Sequence, residues 1–301
     1  MKIQFWLFAA ALCAATASCT GNRKLQNIQQ EVSDISEQQR REAEKIRDVR
    51  LLNDTKLREK KTDSLVHEIV DMTIDNFAVE AGSRIAAIKR LDSLISDKHS
   101  LRNTSRKNIR AQLDSLIALN RDSTRRLAAF RMLEDGLNNT SYSLFKLAAF
   151  FGPGKYSIPQ GKETAADSAF APLIDSLISF SSKYPQLPKK ATLVILGYAD
   201  GTGFDPNSNL YVELERLMNK KNLSKQEMNK KLSDLRAQSL LRQLKKQLES
   251  KLAGNNTAGV LEVSFIGQGR GEVYPFPFIN DYKEEDERRR IVLCYWTVLP
   301  V

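Results

Sequence analysis

An acid stands where an apolar run gives way to glycine. In TLVILGYADGTG (192–203), Asp200 lies between Ala199 and Gly201, at the exit of a β-branched stretch. A strand can leave a sheet without a carboxylate, so the residue invites a chemical reading. The plainest is that an acid favours a glycine-rich turn. Catalysis needs more. Asp205 and Glu272 are available as second carboxylates, but a glycosidase pair depends on a separation that only a fold can set. A Ser-His-Asp or Cys-His centre has little to draw on, because His67 and His99 are the only histidines and fall on different helical segments. Neither has cysteines or carboxylates at ligand spacing, so no metal site is expected. GQGRG (267–271) is glycine-rich, yet no Walker lysine follows it, and nucleotide binding is not expected. The chain therefore reads as a binding protein without a cofactor rather than an enzyme.

The elements that must position Asp200 are read from periodicity. ATLVILGYA (191–199), VLEVSFIGQG (260–269) and RIVLCYWTVL (290–299) are strands, and Cys294 in the last reads as buried. FAPLIDSLISF places Phe170, Leu173, Ile174, Leu177, Ile178 and Phe180 on one helical face, and the prolines of KYPQLPKK end that helix. A long helix from about Ser224 to Leu252 opens with Ser-Lys-Gln-Glu, the spacing of a capping box. Strands alternating with helices imply an α/β sandwich, a mixed sheet with helices packed on it.

The first half is unlike this. From Asn22 to about Asn139 the chain is polar, nearly free of Pro and Gly, and helically periodic. Leu25, Ile28, Val32 and Ile35 follow a 3-4-3 step. Ile109, Leu113, Leu116, Asn120, Ser123, Leu127, Phe130 and Leu137 follow a similar seam with polar interruptions. Breaks are expected at LLNDT (51–55), SDKHSLRNTS (96–105) and LNNTSYS (137–143). About three coiled-coil-like helices result, packed as an antiparallel bundle or partly extended. A helix from Asn22 to about Lys60 would reach roughly 55 Å at about 1.5 Å per residue, a spacer's dimension; helices packed on themselves or on a protein partner would set no reach. Asp-Ser-Leu recurs at Asp63, Asp92, Asp114 and Asp175, but its irregular spacing argues against internal repeats.

With 42% hydrophobic residues and only 14 Gly and 9 Pro in 301 positions, wholesale disorder is excluded. The formal charge of +10 favours an anionic partner. The basic clusters, RRR at Arg288–Arg290 and QQRR at Gln38–Arg41, are short and read as solvated faces, so nucleic acid is not expected.

MKIQFWLFAAALCAATASC has the layout of a secretory signal: Lys2, an apolar core from Phe5 to Leu12, then small residues. Ala17 and Ser18 directly before Cys19 resemble the lipobox of bacterial lipoproteins, in which that cysteine is acylated and becomes the new N-terminus; Thr16 departs from the usual leucine. An ordinary signal cut near Ala17 is the alternative. With Cys13 removed and Cys294 buried, Cys19 has no disulfide partner. Acylation at Cys19 would give a membrane anchor, since two or more chains hold a protein stably to a bilayer. Thr20 after the cysteine points, by analogy with lipoprotein sorting, to the outer membrane.

Four segments in order, VILGYADGTG, NKKLSDLRAQSLLRQL, FIGQGRGEVYP and ERRRIVLCYW, resemble the OmpA-like C-terminal domain, the peptidoglycan-binding module also found in peptidoglycan-associated lipoproteins. The resemblance covers about residues 145–301. It implies that the site grips the diaminopimelate of the peptidoglycan stem peptide, whose far end carries an ammonium and a carboxylate on one carbon. By motif match the acid is Asp200 and the base Arg236, whose planar fork takes a carboxylate as Lys could not. Asn229 and Arg290 are implied as supporting residues. Three features depart from the pattern: an insertion at about 204–228, expected to form an extra helix beside the site; a first strand held somewhere in FKLAAFFGPGKYSIPQGK; and Arg288 where the family has Asn.

The reading is then a signal peptide at 1–18, a lipidated N-terminus and helical region at 19–140, and a wall-binding domain at 141–301. The implied function is an outer-membrane lipoprotein, facing the periplasm, that anchors the membrane to peptidoglycan. A scaffold of a larger envelope complex, recruiting a protein partner or a second copy through helices 23–140, is the alternative.

Overall fold

The 3.6-residue spacing of the first half produces helices, and the alternating second half produces a sheet with helices, in a computed structural model of the chain. It describes residues 3–96, 106–139, 142–151, 155–254, 261–276 and 278–301, with side chains from Gln26 onward except at 106 and 147. The elements are α1 (Ile3–Arg58), α2 (Ser64–Ser96), α3 (Arg106–Asn120), α4 (Ser123–Asn139), β1 (Tyr142–Lys146), α5 (Glu163–Ser182), β2 (Lys189–Tyr198), α6 (Asn209–Met218), α7 (Lys225–Ala253), β3 (Leu261–Gly271) and β4 (Ile291–Pro300). Two compact units divide the chain: Met1–Leu51 with Met72–Phe130, and Leu52–Asp71 with Arg131–Val301. The units do not divide at 140/141, because parts of the helical half belong with the sheet.

The helical unit has its own apolar core. Val32 of α1 packs with Ile88, Leu91 and Ile95 of α2 and Ile109, Leu113 and Leu116 of α3, with Ile28 and Ile35 at the margin. This is a bundle rather than an extended spacer. The polar interruptions in the α3 seam mark a real junction: Asn120 ends α3 and Ser123 begins α4, so the third helix of the sequence reading is two. Leu127 turns outward at 40% exposure. Gln39 donates to Asn120 at 3.0 Å, and buried Glu42 accepts from Arg84 at 2.5 Å and Arg126 at 2.9 Å.

One expected break is absent. α1 runs through LLNDT to Arg58, because the polar residues there serve the helix pair: buried Asn53 donates to the His67 carbonyl at 3.1 Å, and Asp54 lies 2.9 Å from the His67 ring. The chain turns instead at 59–63, where Lys60 adopts a left-handed φ of 57°. Of the Asp-Ser-Leu sites only Asp63 starts a helix, accepting from the Leu65 amide at 2.9 Å. The expected break at 96–105 falls between α2 and α3, and residues 97–105, with His99, lie outside the described residues.

The sheet has the order β1-β4-β2-β3, with β2 parallel to β3 and β4 antiparallel to β1 and β2. β1 lies at Tyr142–Lys146, mostly before the stretch expected to hold it. Five residues on an edge, paired only with β4, leave little periodic signal. Alternation assigns the faces of β2. Gly197 meets α7 so closely that an added Cβ would lie 2.6 Å from the Ser233 carbonyl oxygen, so Leu193 and Ile195 share that helix-covered face. Val194, Leu196 and Tyr198 point the other way, where Val66 of α2 packs on them and on Ile291, Leu293 and Tyr295 of β4. Both faces being covered, β2 and β4 are buried almost throughout, and Cys294 is buried as expected. Arg270 of β3 and Asp63 pair at 2.6 Å beside this second layer.

Candidate functional site

The strand register places the chemistry at one end of the sheet. Asp200 follows β2 by two residues, and because β4 runs antiparallel, Arg290 immediately before it arrives at the same end. Glu272, just past β3, arrives there through the parallel pairing of Tyr198 with Gly271. Asn229 and Arg236 sit seven residues apart on α7, two turns along one helix face. Both halves of the capping box are present at the helix start: Ser224 accepts from the Glu227 amide, and Glu227 accepts from the Ser224 amide. The turn carrying Asp200 is pinned by the Gly201 amide, which donates to the Glu284 carbonyl at 2.6 Å. A Cβ at Gly201 would lie 2.4 Å from Glu284 Cγ, which explains the glycine beside the acid.

Asp200 is 5% exposed. Its Oδ2 accepts from Arg290 Nε at 2.6 Å and from Thr202 Oγ1 at 2.7 Å, and forms an ion pair with Arg290 Nη2, 2.6 Å away. Arg290 Nη2 also reaches Thr202 Oγ1 at 3.2 Å. Both hydrogen bonds to Asp200 converge on one carboxylate oxygen, and Oδ1 accepts none from the described residues. Asn229 is buried and donates to the Thr202 carbonyl at 3.2 Å and to Glu272 Oε1 at 2.8 Å, holding the turn from the helix side.

Arg236 is half-buried. Its Nε donates to the Lys155 carbonyl at 3.0 Å, and its guanidinium lies 5.8 Å from the centre of the Phe151 ring. Neither terminal nitrogen donates to a described residue. Burial, reinforced by the Arg290 charge and opposed by Asp200, pushes its pKa down to about 10. An arginine does not release its proton to relieve such a cost; an anion relieves it instead. Asp200, Arg290 and Arg236 together carry one excess positive charge. Among the described residues the site thus leaves one carboxylate oxygen and one guanidinium fork without hydrogen-bond partners, groups that can take a cation and an anion respectively.

The structure brings all four sequence-derived residues, Asp200, Arg236, Asn229 and Arg290, to this end of the sheet. It gives Arg290, rather than Arg236, the direct bond to Asp200. Thr202 and Glu272 belong to the site, and sequence reasoning assigned them no binding role; Thr202, two residues after the acid, was the available signal. The RRR cluster is not uniformly solvated. Arg288 is exposed and pairs with Asp281 and Asp286. Arg289 is buried, lies 4.6 Å from the Tyr274 ring centre and donates to the Glu284 carbonyl at 2.8 Å. The insertion does form a helix, α6, in a small apolar cluster of Leu214, Leu223 and Met228. Cys19 lies outside the residues whose side chains are described. Among the described residues no three His, Cys, Asp or Glu side chains cluster as a metal would require, and no helix is long and apolar enough to cross a membrane.

No protein-family model matches the sequence, and neither does any curated protein. Among solved structures the chain is similar to the crystal structure of a MotB-like protein from Desulfovibrio vulgaris, at 18% identity and a TM-score of 0.31, over 52% of this chain and 73% of that one. A likeness of that degree has no bearing on the residues of the site.

Proposed function

We propose that this chain is a non-catalytic envelope protein that binds peptidoglycan through the zwitterionic end of a diaminopimelate residue. Asp200 Oδ1 takes the ligand ammonium, and the Arg236 fork takes its carboxylate. Arg290 and Thr202 hold the other oxygen of Asp200, and Asn229 braces the turn. The observation that carries this reading is the pairing of an open acceptor with an open fork in one half-buried cluster. Hydrogen bonds to charged groups contribute roughly 1.5–3 kcal/mol each, so a few of them give about millimolar to micromolar affinity. The proposed acyl anchor at Cys19, on the outer membrane and facing the periplasm, raises effective affinity by confining the protein beside a polymer of repeated stem peptides. Sedimentation with purified sacculi tests the assignment: the chain is expected to pellet with them, and Asp200→Ala and Arg236→Ala to stay in the supernatant. Pelleting of both variants like wild type would remove these residues from the site.

A second reading, a scaffold in a larger envelope complex, is favoured by one observation: the helical unit is a body with its own core rather than a passive tether. Deleting residues 23–140 would be a poor test, because it removes Val66 from the sheet. Met72 and Val79, exposed on α2, offer a cleaner one. A stoichiometric partner retained in mild detergent by wild type and lost by Met72→Glu/Val79→Glu is expected only of the scaffold.

A further inference from the structure

The inserted helix α6 is anchored firmly on its own side. Ser208 caps it, accepting from the Tyr211 amide at 3.2 Å, and Asn219 ends it at a left-handed φ of 50°. Leu214 is fully buried against Leu223 and Met228, and buried Glu215 accepts from the Asn222 amide at 2.6 Å. From this fixed helix Glu213 accepts a hydrogen bond from the Tyr156 hydroxyl. The neighbouring residue, Lys155, presents its carbonyl to Arg236 Nε at 3.0 Å. An unbroken chain of contacts therefore runs from the insertion to the guanidinium: Glu213, Tyr156, the Lys155 carbonyl, Arg236.

We propose that the insertion is a positioning element for the ligand, and that Glu213 and Tyr156 are the positioning residues through which it acts. This rests on the wall-binding reading above. The Lys155 carbonyl occupies Nε, and neither terminal nitrogen of Arg236 donates to a described residue, so the contact aims the fork instead of covering it. A guanidinium fixed before the ligand arrives loses less side-chain freedom on binding. It also meets the ligand carboxylate at a set distance from Asp200 Oδ1, which selects a carboxylate and an ammonium borne on one carbon over groups spaced further apart.

The test compares Tyr156→Phe, Glu213→Ala and Glu213→Gln in the full chain, with two readouts. The first is the nuclear magnetic resonance signal of the Arg236 Nε proton in the free protein. It is expected to be protected from solvent exchange in wild type and in Glu213→Gln, which keeps an acceptor, and exposed in Tyr156→Phe and Glu213→Ala. The second is affinity for a soluble diaminopimelate-containing stem peptide. It is expected to fall about three- to tenfold in Tyr156→Phe and Glu213→Ala, the worth of one hydrogen bond, and to stay near wild type in Glu213→Gln. Unchanged protection in Tyr156→Phe overturns the inference, whether or not the peptide binds. Tighter binding in Tyr156→Phe also overturns it, by making the contact a cover. A wild-type protein that keeps the protected proton yet ignores the peptide overturns the wall-binding reading, and with it the ligand-positioning role.

Discussion

The helical unit and the sheet unit both bury charge, and they do it differently. In the helical unit Glu42 is enclosed by Arg84 and Arg126; Arg84 also donates to Gln39 at 2.9 Å, and Arg126 to the Leu119 carbonyl at 3.3 Å and to Asn120 at 3.2 Å. The group satisfies itself and holds four helices together, α1 to α4, the pattern of a device that fixes packing. At the end of β2, Asp200 is equally buried, yet its bonds crowd onto one oxygen, and among the described residues Arg236 donates through Nε alone. A closed network reads as architecture and an open one as a site. Burial of charge alone separates neither.

The largest effect is expected from Glu42→Ala. It leaves buried Arg84 and half-buried Arg126 without their shared carboxylate and should cost about 3–5 kcal/mol in denaturant unfolding, the penalty for breaking a buried pair. Binding to sacculi by the remaining folded protein should not change. Next comes Gly269→Ala on the sheet side, where an added Cβ would lie 2.3 Å from the Asp234 amide nitrogen and 2.7 Å from the Ser233 carbonyl carbon. Overpacking against backbone costs about 1–3 kcal/mol, and thermal melting should register it. Arg236→Lys sharpens the contrast. It keeps the charge and loses the fork, so stem-peptide affinity should drop about tenfold or more while the melting temperature hardly moves. The smallest effect concerns the start of α7. A hydrogen bond from Lys220, with further bonds from the Ser224 amide and hydroxyl, lowers the Glu227 pKa to about 2. A carboxylate with a lowered folded pKa stabilises the fold above its ordinary value near 4.5, and the contribution disappears as pH falls through about 2. Acid titration of stability should show a slightly shallower slope across that window in Glu227→Gln.

The sheet unit was largely legible in the sequence, because its strands are long apolar runs and its helices carry caps and prolines. Strands β2 and β4 and the capping box of α7 appear within a residue or two of where the pattern puts them. β1 was not located, since a five-residue edge strand has too few positions to show alternation. LLNDT looked like a break because Asn and Asp favour turns; the tertiary partner His67 turns both to use inside a helix. At the candidate site, the residue types stood out in the sequence and their wiring did not. Which arginine meets Asp200 follows from the antiparallel register of β2 and β4, a long-range pairing that local pattern does not encode. Val66 on the second face of the sheet was hidden for the same reason.

The central claim, that an open acceptor and an open fork recognise one zwitterion, is tested most directly by calorimetric titration of the full chain with two stem peptides. One carries diaminopimelate, and the other carries lysine, which keeps the ammonium and lacks the neighbouring carboxylate. The diaminopimelate peptide should bind, weaken sharply with Arg236→Ala and weaken with Asp200→Ala, while the lysine peptide should bind at least tenfold more weakly and be indifferent to Arg236→Ala. Equal affinity for the two peptides, or a diaminopimelate affinity untouched by Arg236→Ala, would contradict the account.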